Sequence, residues 1–364
     1  MRRTTLTVLI VLIWLLATAS PASAHTVSGV GATNWRTSIV GITPAVDGLS
    51  AKVVEEGSRI QLTNHGAEVT VLGYEGEPYL RVGPDGVFDN VLSPATYLNC
   101  SRQQTNCSIP PDANPQAPPQ WRKVSSGQTV RWHDHRTHWM APTPPPQVTR
   151  APNQVHVLQP PWTVSLRQGG TAITLTGNLT WVPGPSPWPW LLLAFALLVG
   201  AVCLGVFGAW GAPLAAAVAI LTVNDVYHAA AIARSVAGGL GTQLGRFFTG
   251  SFYSIIGWIL GLVAARFLLR RRVDGLYAAA FAGVSAALFT GLLDISVLSR
   301  SQAPFAGPIG LDRVTVAVSL GLGVGVAIGS ILALRSVPRQ EYDEEDEADD
   351  AGVGADLAPG PEPA

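Results

Sequence analysis

Charged side chains are scarce in this chain. Asp, Glu, Lys and Arg make up 13% of its 364 residues and apolar residues 48%, whereas about a quarter of a typical soluble domain is charged. This composition favours a membrane protein with a soluble part over a single globular enzyme. The sequence also lacks phosphate-binding loops, Gly-x-Ser-x-Gly elbows, Cys-x-x-Cys pairs and basic nucleic-acid-binding stripes. We therefore expect neither enzymatic activity nor nucleic-acid binding.

Cysteine is rare as well. Two of the three cysteines, Cys100 and Cys107, flank a short polar segment, and outside the cell such a pair is expected to form a disulfide. The bridge would stabilise the fold by roughly 2 kcal/mol through loop-closure entropy. A thiolate metal site is the alternative, but it requires both thiols to stay reduced in an oxidising environment. Cys203 stands among Val, Leu and Gly, where a thiol usually packs as a small apolar side chain.

The N-terminus has the pattern of an export signal. A basic start precedes an apolar run over residues 6–17, and the small-residue site Ala22-Ser23-Ala24 follows. Cleavage would remove residues 1–24 as a signal peptide and make His25 the first residue of the mature protein. If the segment stays uncut, it becomes an additional membrane helix and His25 has no free amine.

Long apolar runs begin after about residue 184. Five of them have the roughly 20 residues that a bilayer-spanning helix needs, at 189–209, 212–233, 250–269, 276–298 and 314–335. Arginines cluster between the third and fourth runs and after the fifth, which places those segments in the cytoplasm under the positive-inside rule. We predict a multi-pass plasma-membrane protein with residues 25–183 outside, five helices within 184–337 and a cytoplasmic C-terminus.

The C-terminal segment 338–364 is strongly acidic. From position 341 onward it has ten Asp and Glu residues and no basic residue. Such a segment cannot bury enough apolar surface to fold, so we expect a disordered cytoplasmic tail. Binding of a metal or a partner by this tail is the alternative.

Residues 25–183 have the pattern of an all-β domain. Short runs rich in β-branched and aromatic residues recur between turn sequences, at 37–42, 51–55, 60–63, 69–73, 79–82, 129–135, 155–158, 162–166 and 172–181. The turns contain Gly, Pro, Asn or Asp, as in Gly83-Pro84-Asp85-Gly86. Helical periodicity is scarce, so we predict an extracytoplasmic β-sandwich of the immunoglobulin or cupredoxin type.

Three of the seven histidines, His133, His135 and His138, lie within six positions of this domain. If residues 129–137 form one strand, alternation puts His133 and His135 on the same face, where both rings can bind a common ion. His138 would follow at the bend and either complete the site or lie apart from it. A terminal amine with the His25 ring adds two nitrogens, a donor set that suits Cu(II). Structural histidines and a pH switch are the alternatives.

Ionisable residues within the predicted spans form a second candidate site. Asp225 and His228 are three residues apart and share one helix face, and Asp294 of the fourth run is expected at a similar depth. Charges at such depth are costly and are therefore often functional. A cluster of Asp225, His228 and Asp294 could accept an ion from the outer domain or relay a proton. The alternative is a neutral hydrogen-bonded clasp that fixes helix packing.

The mature N-terminal histidine after Ala-x-Ala, on an exported β-sandwich joined to membrane helices, resembles bacterial copper-resistance proteins of the CopC and CopD type. The segment Asp225-Val226-Tyr227-His228 with the later Gly238-Gly239 looks like the Asp-x-x-His and Gly-Gly pattern of the CopD membrane part. Its spacing differs from that pattern by about one residue, and the Trp before the glycines is absent. The resemblance implies copper as a cofactor, and we expect a metal-handling or envelope protein as a partner.

Residues 127–132 followed by His138 also look like the first ligand region of cupredoxins. No Cys-His-Met loop follows in this domain, which disfavours a blue-copper electron-transfer centre. As a whole, the chain resembles a family of exported multi-span actinobacterial membrane proteins, a resemblance that implies no function.

Two hypotheses follow for the function. In the first, the chain is a membrane-anchored protein that binds copper or another divalent metal and serves metal homeostasis or transfer across the membrane. In the second, it is a scaffold or protein-interaction component of the cell envelope whose histidines are structural. Both hypotheses make the lipid bilayer a partner of the chain.

Overall fold

A computed structural model describes residues 31–99, 108–208 and 210–337 of the chain. The predicted signal peptide, His25, the Cys100–Cys107 pair and the acidic tail lie outside these residues. The chain folds into two compact units. The first comprises Met1–Pro187, His228–Phe252 and Leu293–Val314, and the second comprises Trp188–Tyr227, Tyr253–Leu292 and Thr315–Ala364.

The first unit contains the predicted antiparallel β-sandwich. In the described part of the chain its strands are β1 (Trp35–Thr43), β2 (Leu49–Val54), β3 (Arg59–Asn64), β4 (Val69–Leu72), β5 (Pro78–Gly83), β6 (Gly86–Asn90), β7 (Trp121–Ser125), β8 (Thr129–Trp132), β9 (His156–Val157), β10 (Trp162–Gln168) and β11 (Thr171–Trp181). One sheet has the order β1-β11-β10-β4-β5-β6-β7, with β9 also paired to β11. The other has the order β2-β3-β8. Short helices α1 (Pro94–Leu98) and α2 (Pro146–Arg150) lie in the connections.

The core of the sandwich lies between alternating apolar positions of the two sheets. On β3, Ile60 and Leu62 are buried while the residues between them are partly exposed. On β10, Trp162, Val164 and Leu166 are buried and alternate with exposed residues. All five belong to one apolar cluster, and burying each such side chain contributes about 1.5–3 kcal/mol to folding. The alternation in the sequence therefore positions both sheets.

Strands β6 and β7 are absent from the sequence-based prediction because their sequences, GVFDN and WRKVS, lack apolar alternation. Asp89 on β6 and Arg122 on β7 form an ion pair with 2.5 Å between Oδ2 and a guanidinium nitrogen. Arg81 of β5 covers the ring of Phe88 at 4.2 Å. The hairpin turn before β6 needs Gly86, which has a φ of 116° and meets the backbone of Ser125 so closely that a Cβ would overlap it.

Five helices are long and apolar enough to span a membrane, as predicted. They are α3 (Trp188–Val206), α4 (Ala212–Ser235), α6 (Phe252–Leu269), α7 (Asp274–Ala286, extended as a π-helix to Leu292) and α8 (Ile309–Ser336). In the second unit, α3 and α8 approach closely because Gly321 and Gly329 face backbone carbonyls of α3, where any Cβ would collide.

The connections between the spans differ from the prediction at two points. The fourth span ends at Leu292, so Asp294 lies in the turn before a 3-10 helix, Ile295–Ser299, and not within the span. The short helix α5 (Leu240–Gly250) stands between α4 and α6 and was not predicted. Its Leu240 and Phe248 side chains are exposed, whereas Arg246 is half-buried.

Candidate metal site and buried polar triad

The histidine loop, residues 133–138, begins where β8 ends. The predicted strand over residues 129–137 is wrong, because β8 stops at Trp132 and a 3-10 helix covers His135–Thr137. The cause is Asp134, whose fully buried carboxylate accepts hydrogen bonds from the Trp132 indole at 2.9 Å and from the backbone nitrogen of Arg136 at 3.1 Å. A side chain that caps its own backbone in this way ends a strand locally.

The three rings of the histidine loop lie together all the same. The ring centre of His133 is 5.1 Å from that of His135, at an interplanar angle of 71°. It is 4.6 Å from that of His138, at an angle of 15°. His133 and His138 are buried, and His135 is partly exposed. The sequence therefore predicted the proximity of these rings, but a turn produces it instead of strand alternation.

Hydrogen bonding fixes the tautomer of His133. Its Nδ1 lies 2.8 Å from the carbonyl oxygen of Ser58, which can only accept, so Nδ1 carries the hydrogen. The neutral ring then has its lone pair on Nε2. Orientation of a ring by donation to a backbone carbonyl is the usual support of a histidine metal ligand. Nε2 of His138 is 3.4 Å from the same carbonyl oxygen.

Ring geometry determines which of these histidines fit one metal ion. A metal–nitrogen bond is about 2 Å long and lies in the plane of its imidazole ring. Two imidazole ligands of one ion therefore have ring centres about 4.5–5 Å apart, and their ring planes are inclined to each other. The ring separation and inclination of His133 and His135 are compatible with this description, whereas His138 is stacked face to face on His133. Among residues 31–99, 108–208 and 210–337, no group of three or more His, Cys, Asp or Glu side chains could hold a metal. A site at His133 and His135 would therefore need ligands from outside these ranges.

The first described residues of the chain lie next to the histidine loop. Trp35 stacks on Trp139 with 5.9 Å between ring centres, and the Thr37 hydroxyl donates to the carbonyl oxygen of Thr137 at 2.8 Å. His25 precedes Trp35 by ten residues, a length that extends up to about 33–36 Å. Chain length therefore permits His25 to reach the loop.

Tyr74 and Arg136 form hydrogen bonds within the histidine loop. The Tyr74 hydroxyl accepts from the backbone nitrogen of His135 at 3.1 Å and donates to Asn99. Burial, with the Asp134 charge, raises the pKa of Tyr74 to about 12, so it stays a neutral phenol. Burial lowers the pKa of Arg136, but the hydrogen bond to Asp134 and the charge of Asp134, with smaller contributions from Tyr74 and Tyr79, together raise it more, and the net direction is upward. The loop therefore has fixed charges at Asp134 and Arg136 and a neutral hydroxyl beside His135.

A second cluster in the first unit is the buried triad of Asp294, His228 and Asp312. Nε2 of His228 lies 3.0 Å from Oδ2 of Asp294, and Nδ1 lies 3.2 Å from Oδ1 of Asp312. The ring is fully buried and Phe305 lies 6.1 Å from it, centre to centre. The structure thus brings His228 and Asp294 together, and it adds Asp312, which the sequence analysis missed.

Asp225, the third predicted member of the cluster, belongs to the second unit. Its Oδ2 accepts a hydrogen bond from the indole nitrogen of Trp258 at 2.6 Å. The neighbouring Asn224 donates to Ser319 at 2.9 Å. The Thr222 hydroxyl lies against Gly261 of α6, and the Ser285 hydroxyl lies against Gly257. A Cβ at either glycine would overlap the hydroxyl beside it. Asp225 therefore takes part in a polar contact between α4 and α6.

A strained turn, residues 55–58, connects the histidine loop with the rest of the first unit. Glu55 and Glu56 have φ values of 53° and 52°, which side-chain-bearing residues rarely adopt. The buried Glu55 carboxylate lies 3.4 Å from Arg59 and accepts from the backbone nitrogen of Ala237 at 3.3 Å. At the other end of the turn, the Ser58 carbonyl oxygen accepts from His133. Burial lowers the pKa of Arg246 on α5, although the negative charges of Asp294 and Glu55 act to raise it.

Sequence signals for the missed residues were limited. Asp312 and Arg313 interrupt the start of an apolar run, which is the signal that could have identified them. Trp258, Arg246 and Glu55 become recognisable only through partners far away in the chain. No protein-family model, curated protein or solved structure matches this chain.

Proposed function

We propose that this chain is a membrane-anchored protein that binds copper as Cu(II) outside the cytoplasm and serves metal homeostasis or transfer. The observation that carries this proposal is the pair of His133 and His135, whose ring separation of 5.1 Å and inclination of 71° fit two ligands of one ion. The bond from His133 Nδ1 to the Ser58 carbonyl supports it, because that bond leaves Nε2 as the nitrogen that can bind a metal.

The remaining ligands are proposed to come from His25. A free terminal amine and the ring of His25 would complete four nitrogen donors with His133 and His135, and Cu(II) prefers such a set in a square-planar arrangement. The stacked position of His138 on His133 supports a different role for His138, which is to fix the ring plane of His133. The five membrane-length helices hold the site at a bilayer. The chain's partners are then the lipid bilayer and a metal-handling envelope protein.

The alternative function is that of an envelope scaffold with structural histidines. The observation that favours it is the burial of His133 and His138 together with their shared approach to the Ser58 carbonyl at 2.8 and 3.4 Å. Such bonds also satisfy core histidines that bind nothing.

A titration with Cu(II) distinguishes the two functions. The full chain in lipid nanodiscs is titrated while electron paramagnetic resonance reports the number of coordinated nitrogens, and mass spectrometry identifies the mature N-terminus. We expect one site with nitrogen ligands, weakened more than about 100-fold by His133→Ala with His135→Ala, since even supporting residues change metal affinity 10–100-fold.

The control is His65→Ala, which removes an exposed histidine that bonds to Gln128. It should leave the affinity unchanged. Equal copper affinity in the wild type and the double variant would reject the copper function and favour the scaffold. An N-terminus that still begins before His25 would remove the amine from the proposed ligand set.

A further inference from the structure

The contacts of the buried triad bear on how many protons it holds. Nε2 of His228 is hydrogen-bonded to Oδ2 of Asp294 at 3.0 Å, and Nδ1 lies 3.2 Å from Oδ1 of Asp312 in an ion-pair contact. An ionised carboxylate only accepts, and a neutral imidazole has a single N–H to donate. In a neutral ring, one nitrogen would face a carboxylate oxygen with its lone pair, which is repulsive. The two contacts together therefore favour a protonated ring or a protonated carboxyl group, which is one proton more than a neutral ring between two carboxylates.

The exposure of the three side chains shows where this proton can exchange. The side chain of Asp294 is 18% exposed, whereas those of His228 and Asp312 are 1% and 3% exposed. Asp294 also lies in a turn outside the fourth span, next to the 3-10 helix Ile295–Ser299. Asp294 is therefore the most accessible side chain of the triad, and the Asp312 end is closed.

Two arginines act on the charges of the triad. The guanidinium of Arg246 interacts with the charge of Asp294 and with that of Glu55. Arg313 interacts with the charge of Asp312 and donates to the carbonyls of Val297 and Arg300. Each carboxylate of the triad therefore has a cationic side chain in its surroundings.

We propose that the triad is a proton-binding site that exchanges its proton through Asp294. The proton on Nε2 of His228 passes to Oδ2 of Asp294 and from there to water. The ring stays neutral, with its Nδ1 hydrogen directed at Asp312.

A metal-free measurement tests the proton site alone. The chain is labelled with ¹⁵N-histidine, the His228 signals are assigned by their loss in His228→Gln, and infrared spectra report protonated carboxyl groups. We expect an imidazolium signal at His228 or a carboxylic absorption, removed in either case by Asp312→Asn. A neutral ring with no carboxylic absorption that depends on Asp312 would overturn the proton site. Asp274→Asn, which removes an exposed carboxylate paired with Arg272, should leave both signals as in the wild type.

Discussion

The histidine loop and the buried triad each contain a buried histidine, but the two histidines have different hydrogen-bonding partners. In the loop, His133 donates to the carbonyl oxygen of Ser58 and packs against two other imidazole rings. In the triad, each nitrogen of His228 faces a carboxylate. A carbonyl partner leaves one ring nitrogen with a lone pair for a metal, whereas two carboxylates favour a ring that holds an additional proton. Partner chemistry therefore separates a candidate ligand from a candidate proton carrier.

Removal of the triad ring should give the largest effect. His228→Ala leaves Asp294 and Asp312 without the ring between them, and breaking a buried charge pair typically costs about 3–5 kcal/mol. We expect this loss in the free energy of unfolding, measured by denaturant unfolding of the full chain in detergent. His228→Gln should lose less, because its amide still meets one carboxylate. A loss in His228→Ala below about 1 kcal/mol would mean that the ring is not charge-paired.

Asp225 should behave as a hydrogen-bonded clasp that is independent of the triad. Trp258→Phe removes the donor to Asp225 and should cost about 1–3 kcal/mol, the usual penalty for a buried acceptor that loses its bond. Asp225→Asn keeps an acceptor oxygen and should cost less. Thermal unfolding measures both, with Trp188→Phe at an exposed position as the control. If Asp225→Asn also changes the proton count of the triad, the separation of the two clusters is wrong.

The phenol beside the histidine loop should make stability depend on alkaline pH. Burial raises the pKa of Tyr74 to about 12 from its ordinary value of 10, so between these values the folded chain keeps a proton that the unfolded chain loses. Stability is therefore full below pH 10 and decreases as the pH rises to about 12. Tyr74→Phe should reduce this decrease, measured as the melting temperature at about pH 9 and about pH 11.5. Some decrease should remain, because burial also raises the pKa of Tyr79.

His138 should have the smallest effect on copper binding. His138→Ala removes a ring that stacks on His133, so we expect copper affinity to change by less than about tenfold, the lower limit for supporting residues. His133→Ala, in contrast, removes a ligand. The same nanodisc titration measures both variants. Equal losses in the two would make His138 a ligand and replace His135 in the proposed pair.

Periodic apolar sequence predicted most of the fold. Strands such as β3 and β10, whose buried residues alternate, and all five spans were predicted because their patterns are local. Strands β6 and β7 were missed because their short sequences mix polar and apolar residues without alternation, and their pairing becomes visible only in the structure. The end of β8 was wrong because the carboxylate of Asp134 bonds to its own turn. Asp312 escaped notice because its partner His228 is far away in the sequence.

The exposed apolar side chains of α5 affect how the protein is solubilised. Leu240, Leu244 and Phe248 are 72%, 47% and 58% exposed, and membrane-length helices both precede and follow this short helix. A helix of this polarity is suited to the boundary between lipid headgroups and acyl chains. Arg246 lies on the same helix and interacts with the charge of Asp294. A detergent that removes the lipid around α5 would therefore change the interaction between Arg246 and Asp294. The choice of detergent is thus a variable in every measurement of protons at the triad.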